Sequence, residues 1–272
     1  MKRAIENLII LTAVQLILLS CSKEQVRIVD EDASYGGLDG HLKIETPAAT
    51  YFFRKEGGGF SGILDRDGID WIGHSDQEKS AGQWRGIPNT NTVGWRPEQE
   101  GTTTTIEVQE KDKVVISCSK NNYKCTWSFY PDHATMTITE ADSVYYFTYE
   151  EAPNGKFDTT SNYLVRPDLG GKHYLGQATD ESDIEAQSGE SWEWCYFSDD
   201  NTKRALCFIH HEDDTVPDLY RPLDQMTVFG FGRTGAATEN LTSIPQSFSI
   251  AFCEENSLEA VKNKVTDIMT KM

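Results

Sequence analysis

From His41 onward the chain alternates apolar and polar residues in short runs separated by turn residues, and this restricts it to antiparallel β structure. Leu42 and Ile44, then Ala49, Tyr51 and Phe53, alternate with polar neighbours, the period-two pattern of strands that cover a core with one face. Gly57-Gly58-Gly59 breaks the run and a strand follows over 60–64. Asp65-Arg66-Asp67-Gly68 then turns the chain, and Ile69-Asp70-Trp71-Ile72 resumes. The Asp-x-Asp-Gly pattern alone is no calcium loop, because it lacks the further ligands and late glutamate of such loops; a hairpin is expected. Further strands are predicted over 102–110, 113–119, 124–130, 134–139, 144–149, 163–166, 192–198, 204–210, 226–231 and 246–252. One helix is expected over 258–272, capped by Asn256-Ser257, with Leu258, Val261, Val265, Ile268 and Met269 as one apolar stripe suited to docking on a sheet. So many strands, many joined by tight turns, predict an all-β two-sheet sandwich with a C-terminal helix.

Charge narrows the partners. Lys and Arg number 25 against 43 Asp and Glu, a formal net charge of -18. No basic stripe exists to neutralise phosphates, which argues against a nucleic-acid partner. No cofactor is expected: Gly230-Phe231-Gly232-Arg233 lacks the strand-turn-helix setting that gives such glycines meaning. No cysteine pair has the spacing of a zinc knuckle, and no metal is expected.

The N-terminus reads Met-Lys-Arg, then an apolar run over 8–19, then Ser20-Cys21. A basic start with an apolar stretch of about a dozen residues is an export signal, too short to span a membrane. Ser20-Cys21 resembles the lipobox of bacterial lipoproteins. That resemblance implies a signal peptide over 1–20, acylation of Cys21, and a protein held at the bacterial cell envelope, facing periplasm or exterior. Multiple lipid chains make a stable anchor. Residues 21–40 read as a polar, glycine-punctuated tether, and 41–272 as a single domain.

An oxidising compartment permits disulfides. Cys118 and Cys125 flank the turn residues Asn121-Asn122, and Cys195 and Cys207 flank Ser198-Asp199-Asp200-Asn201, so each pair is expected to bond across a hairpin. Cys253 reads as a strand-core residue.

Residues 73–101 form a long irregular stretch, a length usual for loops that line a site. Within it Trp84, Arg85, Asn89, Trp95 and Arg96 join two indoles, two guanidinium groups and an amide between glycines and prolines. A sugar ring offers an apolar face to an aromatic ring and a rim of hydroxyls to directed donors. The run from Thr50 through the glycines, the Asp-Arg-Asp-Gly turn, Asp70-Trp71-Ile72 and Arg85-Gly86-Ile87-Pro88 resembles the start of galactose-mutarotase-like proteins, closest to the hexose-phosphate epimerase branch. The resemblance covers about residues 42–97. It implies a galactose-mutarotase-like antiparallel β-supersandwich with a carbohydrate ligand on its concave face. The epimerase histidine motif does not follow this loop.

A second cluster holds Glu150, Glu151 and Arg166, with Arg166 at the end of an extended stretch before Pro167. Abstraction of a uronate proton needs a base, for which His133, His173 and Tyr174 are candidates, and a cation or amide to hold the carboxylate, for which Arg85, Asn89 and Arg166 are candidates. Hydrolysis needs opposed carboxylates, with Glu150 among the candidates. Arg233 is a further donor to an anionic group. In His210-His211-Glu212-Asp213-Asp214, an extended chain points the two histidines in opposite directions, so the stretch is expected to be a solvated loop leaving a strand. The function expected is that of a carbohydrate-active envelope lipoprotein, by lyase, hydrolase or epimerase chemistry. Glycan binding without catalysis and a structural envelope role are the alternatives.

Overall fold

The structure is a computed structural model that describes residues 25–73, 87, 99–167, 171–177, 193–223, 226–234 and 238–271. Its strands are β1 (Arg27–Tyr35), β2 (Leu38–Glu45), β3 (Thr50–Arg54), β4 (Gly59–Leu64), β5 (Thr103–Gln109), β6 (Val114–Lys120), β7 (Tyr123–Phe129), β8 (Ala134–Glu140) and β9 (Phe147–Glu151). They continue as β10 (Asn162–Val165), β11 (His173–Tyr174), β12 (Trp194–Asp199), β13 (Ala205–His210), β14 (Leu219–Leu223), β15 (Met226–Phe231), β16 (Arg233–Thr234), β17 (Thr238–Glu239) and β18 (Gln246–Cys253). One helix, α1 (Leu258–Thr270), closes the described chain.

Among the described residues a nine-stranded antiparallel sheet runs β11-β10-β12-β13-β18-β8-β7-β6-β5. Its inner face is covered by two smaller sheets. The four-stranded sheet β1-β2-β3-β4 packs on one half, with Tyr51 against Phe129 and Phe60 against Trp127 at 5.3 and 4.6 Å between ring centroids. The three-stranded sheet β14-β15-β9 packs on the other, with Phe147 stacked on Phe248 and Tyr149 against Phe208, both at 4.7 Å. The outer face of the large sheet receives α1: Val261, Val265 and Ile268 join Cys207, Ala251 and Cys253 in a second core. Ser257 caps the helix, its hydroxyl accepting from Ala260 N at 3.3 Å. The all-β sandwich with a C-terminal helix expected from alternation, and the supersandwich implied by the resemblance, are therefore the architecture observed.

The pairing gives this sandwich two ends. At the first, Val26 N donates to Lys111 O at 2.9 Å and Ala48 N to Pro131 O at 3.2 Å, joining the start of β1 to the turns after β2, β5 and β7. At the second, Thr102 N donates to Glu56 O at 3.0 Å, joining the turn after β3 to the start of β5. The strands run between these ends: Gln246 at the start of β18 pairs with Ile138, towards the second, while His210 at the end of β13 pairs with Phe248, level with Met136 in the middle of the sheet.

Several expectations are corrected. The stretch read as a tether, 21–40, carries β1 and the first residues of β2. β1 is an edge strand that buries only Ala33, so its composition is nearly that of a solvated segment. The Asp65–Gly68 turn is the hairpin expected: Asp65 Oδ1 accepts from Asp67 N and Ile69 N at 2.9 and 3.0 Å, and Oδ2 from Trp71 Nε1 at 3.0 Å. Neither expected disulfide is present, since all five described cysteines are free thiols. Cys118 and Cys125 do face each other across β6 and β7, but as hydrogen-bonded thiols; burial first, then Cys118, pushes the Cys125 thiol well up. Cys195 pairs with Phe208 and Cys207 with Tyr196. The one-residue offset sends Cys195 into the inner core and Cys207 into the outer one, because successive strand residues alternate faces.

Candidate functional site

At the end of β13, the inner face of the large sheet changes from apolar to charged. β13 carries Leu206 and Phe208 inward, and the same alternation turns His210 inward. His210 is 2% exposed. Its ring stacks on Phe248 at 4.8 Å and 14°, and Phe231 lies 5.4 Å away. Its Nε2 lies 3.1 Å from Gln246 Oε1 and 3.5 Å from Glu212 Oε2, while Nδ1 faces Asp214 Oδ2 at 4.0 Å. Burial pulls the His210 pKa down and the Asp214 charge opposes that shift. The ring is thus neutral at pH 7. With Nε2–H donating to Gln246, the lone pair rests on Nδ1, facing a carboxylate too distant for a hydrogen bond.

The neighbouring strands extend this charged end. Arg166 follows β10 on the same face as Leu164, which lies in the inner core, and is itself buried. Cys195, next to it on β12, has its thiol pushed well up by burial, then by the Asp218 charge, with Arg166 acting in the opposite sense. Asp218 and Arg166 therefore both lie within electrostatic reach of one sulfur. Asp218 is buried and accepts from Gly232 N at 2.8 Å, which holds the start of β14 against the end of β15. Glu193 pairs through its carbonyl with His210 N at 2.8 Å. The arrangement can take up a proton at His210 Nδ1, with Asp214 beside the resulting imidazolium, and can hold an anionic or hydroxyl-rich group near Arg166.

The residues singled out from sequence divide by face. His173 pairs with Leu164, on the inner side near Arg166, and is half-buried. Tyr174 pairs with Tyr163 on the outer side, where its hydroxyl donates to Asp200 at 3.0 Å. His133 lies in the β7–β8 turn at the first end, with Nδ1 2.7 Å from Asp132 and its ring stacked on Tyr130. Glu150 faces away from the inner core and accepts from Arg233 Nη1 at 3.1 Å, and that guanidinium lies 4.9 Å over the Tyr146 ring. Only Arg166 and His173 are thus on the inner face of the large sheet; His133, Tyr174 and the Glu150–Arg233 pair are not brought to it. Trp84, Arg85, Asn89, Trp95, Arg96 and Cys21 lie outside the described residues. From their loop Ile87 is described: it is buried in the inner core, and its carbonyl accepts from Phe60 N at 2.7 Å.

His210 is the residue that sequence reasoning misassigned. The segment expected to be a solvated loop begins with a buried ring at the end of a strand. The signal was available, since opposite orientations for two adjacent histidines require one to follow Leu206 and Phe208 into the core. Gln246 carried no signal in the chain, because it joins His210 through the pairing of β13 with β18, whereas Asp214 follows His210 by only four residues.

No profile of a known protein family matches the chain, and no curated protein matches it. Among solved structures, HI1317 is similar at 10% identity with a TM-score of 0.51, covering 84% of this chain and 99% of that one. YeaD from Salmonella typhimurium, a candidate mutarotase, is similar at 8% identity with a TM-score of 0.50, covering 85% and 97%. At these identities the likeness concerns the fold, and with the sheet order above it establishes that the chain has a galactose-mutarotase-like β-sandwich fold.

Proposed function

We propose that the chain is a lipid-anchored envelope protein that handles a carbohydrate at the His210 end of its inner face, with His210 as the group that moves a proton. The observation that carries this reading is a neutral buried imidazole with the Asp214 carboxylate 4.0 Å from its Nδ1, on the same sheet face as the buried Arg166 cation two strands away. Anchoring rests on the leader and on Ser20-Cys21.

A single imidazole backed by a carboxylate suits abstraction of one proton, as in epimerisation or β-elimination, better than hydrolysis, which needs opposed carboxylates flanking the bond. In elimination, His210 Nδ1 takes the C5 proton of a uronate, the electron pair forms the C4–C5 double bond, and the O4 substituent leaves. Arg166 holds the carboxylate on which negative charge develops. The 2% exposure of His210 favours a second reading, in which the ring is part of the wall and the glycan is bound without reaction.

Mature protein incubated with neutral, uronic and sulfated oligosaccharides tests both. An epimer or an unsaturated product, lost in His210→Gln with binding retained, supports the first reading. Saturable heat release with unchanged sugar supports the second. Absence of both binding and turnover across the panel overturns the carbohydrate reading.

A further inference from the structure

We propose that the end of the domain bearing Val26 rests on the anionic phospholipid surface that holds the anchor, so that the end bearing Glu56 and Thr102 points away from the membrane. The inference depends on the Cys21 anchor of the preceding section. It adds the face of the fold that meets the lipid.

Chain length is the first argument. The fold begins close to Cys21: Val26 is buried and its N–H is already bonded to Lys111 O at 2.9 Å. The four residue steps from Cys21 to Gln25 reach at most about 14 Å. A seven-residue strand such as β7 spans about 23 Å at the usual rise. An anchor on that leash cannot bring the second end of the sandwich to the lipid. Two surfaces remain within reach, the first end and the flank formed by β1.

Charge decides between them. The β1 flank exposes Asp30, Glu31 and Asp32 in succession, which anionic headgroups repel. The first end carries a groove of about 570 Å³ lined by Pro47, Arg66, Lys111, Asp112, Pro131 and Asp132. Arg66 and Lys111 are exposed. Asp132 is already engaged by His133 at 2.7 Å, Lys264 at 2.7 Å and Lys271 at 3.4 Å, which leaves Asp112 as the exposed acid of the groove. At the second end, Asp39, Glu56, Glu100, Asp142 and Asp213 are all exposed. In a chain of net charge -18, an anionic surface is approached at least cost through the end where Asp67, Asp132 and Glu254 are paired with cations, and Arg66 and Lys111 are exposed beside Glu110 and Asp112. The field acts only over about one Debye length, 8–10 Å, so short tethering makes it count.

The test uses the full lipidated chain in vesicles of phosphatidylglycerol and phosphatidylcholine, some lipids carrying a headgroup quencher. Single labelling sites are introduced by Asp112→Cys at the first end, Asp32→Cys on the flank and Asp142→Cys at the second end; all three positions are exposed, and the five native described thiols are buried. The Asp112 probe is expected to lose most of its emission while the other two keep theirs. Quenching at position 32 or 142, or at none of the three while the protein sediments with the vesicles, overturns the orientation and leaves the anchor standing. Protein that remains in the supernatant overturns the anchor, and the orientation with it.

Discussion

His210 and His211 are chain neighbours on opposite faces of one sheet, and their partners differ accordingly. His211 Nε2 lies 2.7 Å from Ser249 Oγ, which lies 2.7 Å from Thr135 Oγ1 on the outer face. Burial, then the nearby His133 and His210, pushes His211 down to about 4 from its ordinary 6.5. Because the folded value is the lower one, the unfolded chain binds the proton first as pH falls. The stability tied to a neutral His211 is therefore complete above pH 6.5 and is lost as pH falls towards 4. Thermal unfolding followed between these limits is expected to show Tm falling with pH, and His211→Gln to flatten part of that slope. Gly62 makes a second prediction. The Tyr35 ring, stacked on Phe52 at 3.9 Å, lies directly over it, so that a Cβ would strike the ring. Gly62→Ala is expected to cost about 1–3 kcal/mol in denaturant unfolding, as overpacking does, and Tyr35→Ala in the same background to relieve the clash.

Elements are joined by charge as well as by apolar packing. Arg204, at the β12–β13 turn, binds Asp65 at 2.6 Å, Asp67 at 3.1 Å and Glu254 at 2.8 Å, tying the small-sheet hairpin to the end of β18. The Asp65 side chain is 1% exposed. Replacing the guanidinium leaves that carboxylate buried with three neutral donors. Arg204→Met is therefore expected to destabilise the fold by about 3 kcal/mol, and Asp65→Asn in the same background to restore part of it; equilibrium unfolding of the two variants checks both. The cysteines follow from the same register. Non-reducing peptide mapping of mildly oxidised protein is expected never to yield a Cys195–Cys207 link, since the register of β12 on β13 places these residues on opposite faces.

At the scale of the molecule, one helix covers the outer face of a large sheet. Val261, Val265 and Ile268 bury against Ile209, Cys207, Ala251 and Cys253. Burying a side chain of this kind is worth about 1.5–3 kcal/mol, so three approach the 5–15 kcal/mol that stabilises a domain. Truncation before Asn256 is expected to abolish the cooperative unfolding transition, read by circular dichroism. A single exposed change such as Met269→Lys, at 36% exposure, should leave it in place. The proposed site makes a matching prediction for ligand handling. Arg166→Ala is expected to weaken binding of an acidic sugar by about tenfold to a hundredfold, the effect of losing a charged hydrogen bond of about 1.5–3 kcal/mol, and titration calorimetry reads it.

Alternation and turn chemistry by themselves determined the all-β class, most of the long strands and α1, because they repeat along the chain: Leu206 and Phe208 predict the inward face of β13 without any partner in view. They failed at β1, an edge strand that buries one residue, and at the two-residue strands β11, β16 and β17, which are too short to show a period. The resemblance carried by the Thr50–Pro88 motifs pointed to the supersandwich, which the nine-stranded sheet order bears out. Arg166 was legible because a guanidinium at the end of an extended run stands out locally. Tertiary structure alone decided that Cys195 and Cys207 occupy opposite faces and that Gln246 meets the His210 imidazole. Those relations depend on the register between strands distant in the chain, where a one-residue offset moves a side chain to the other face.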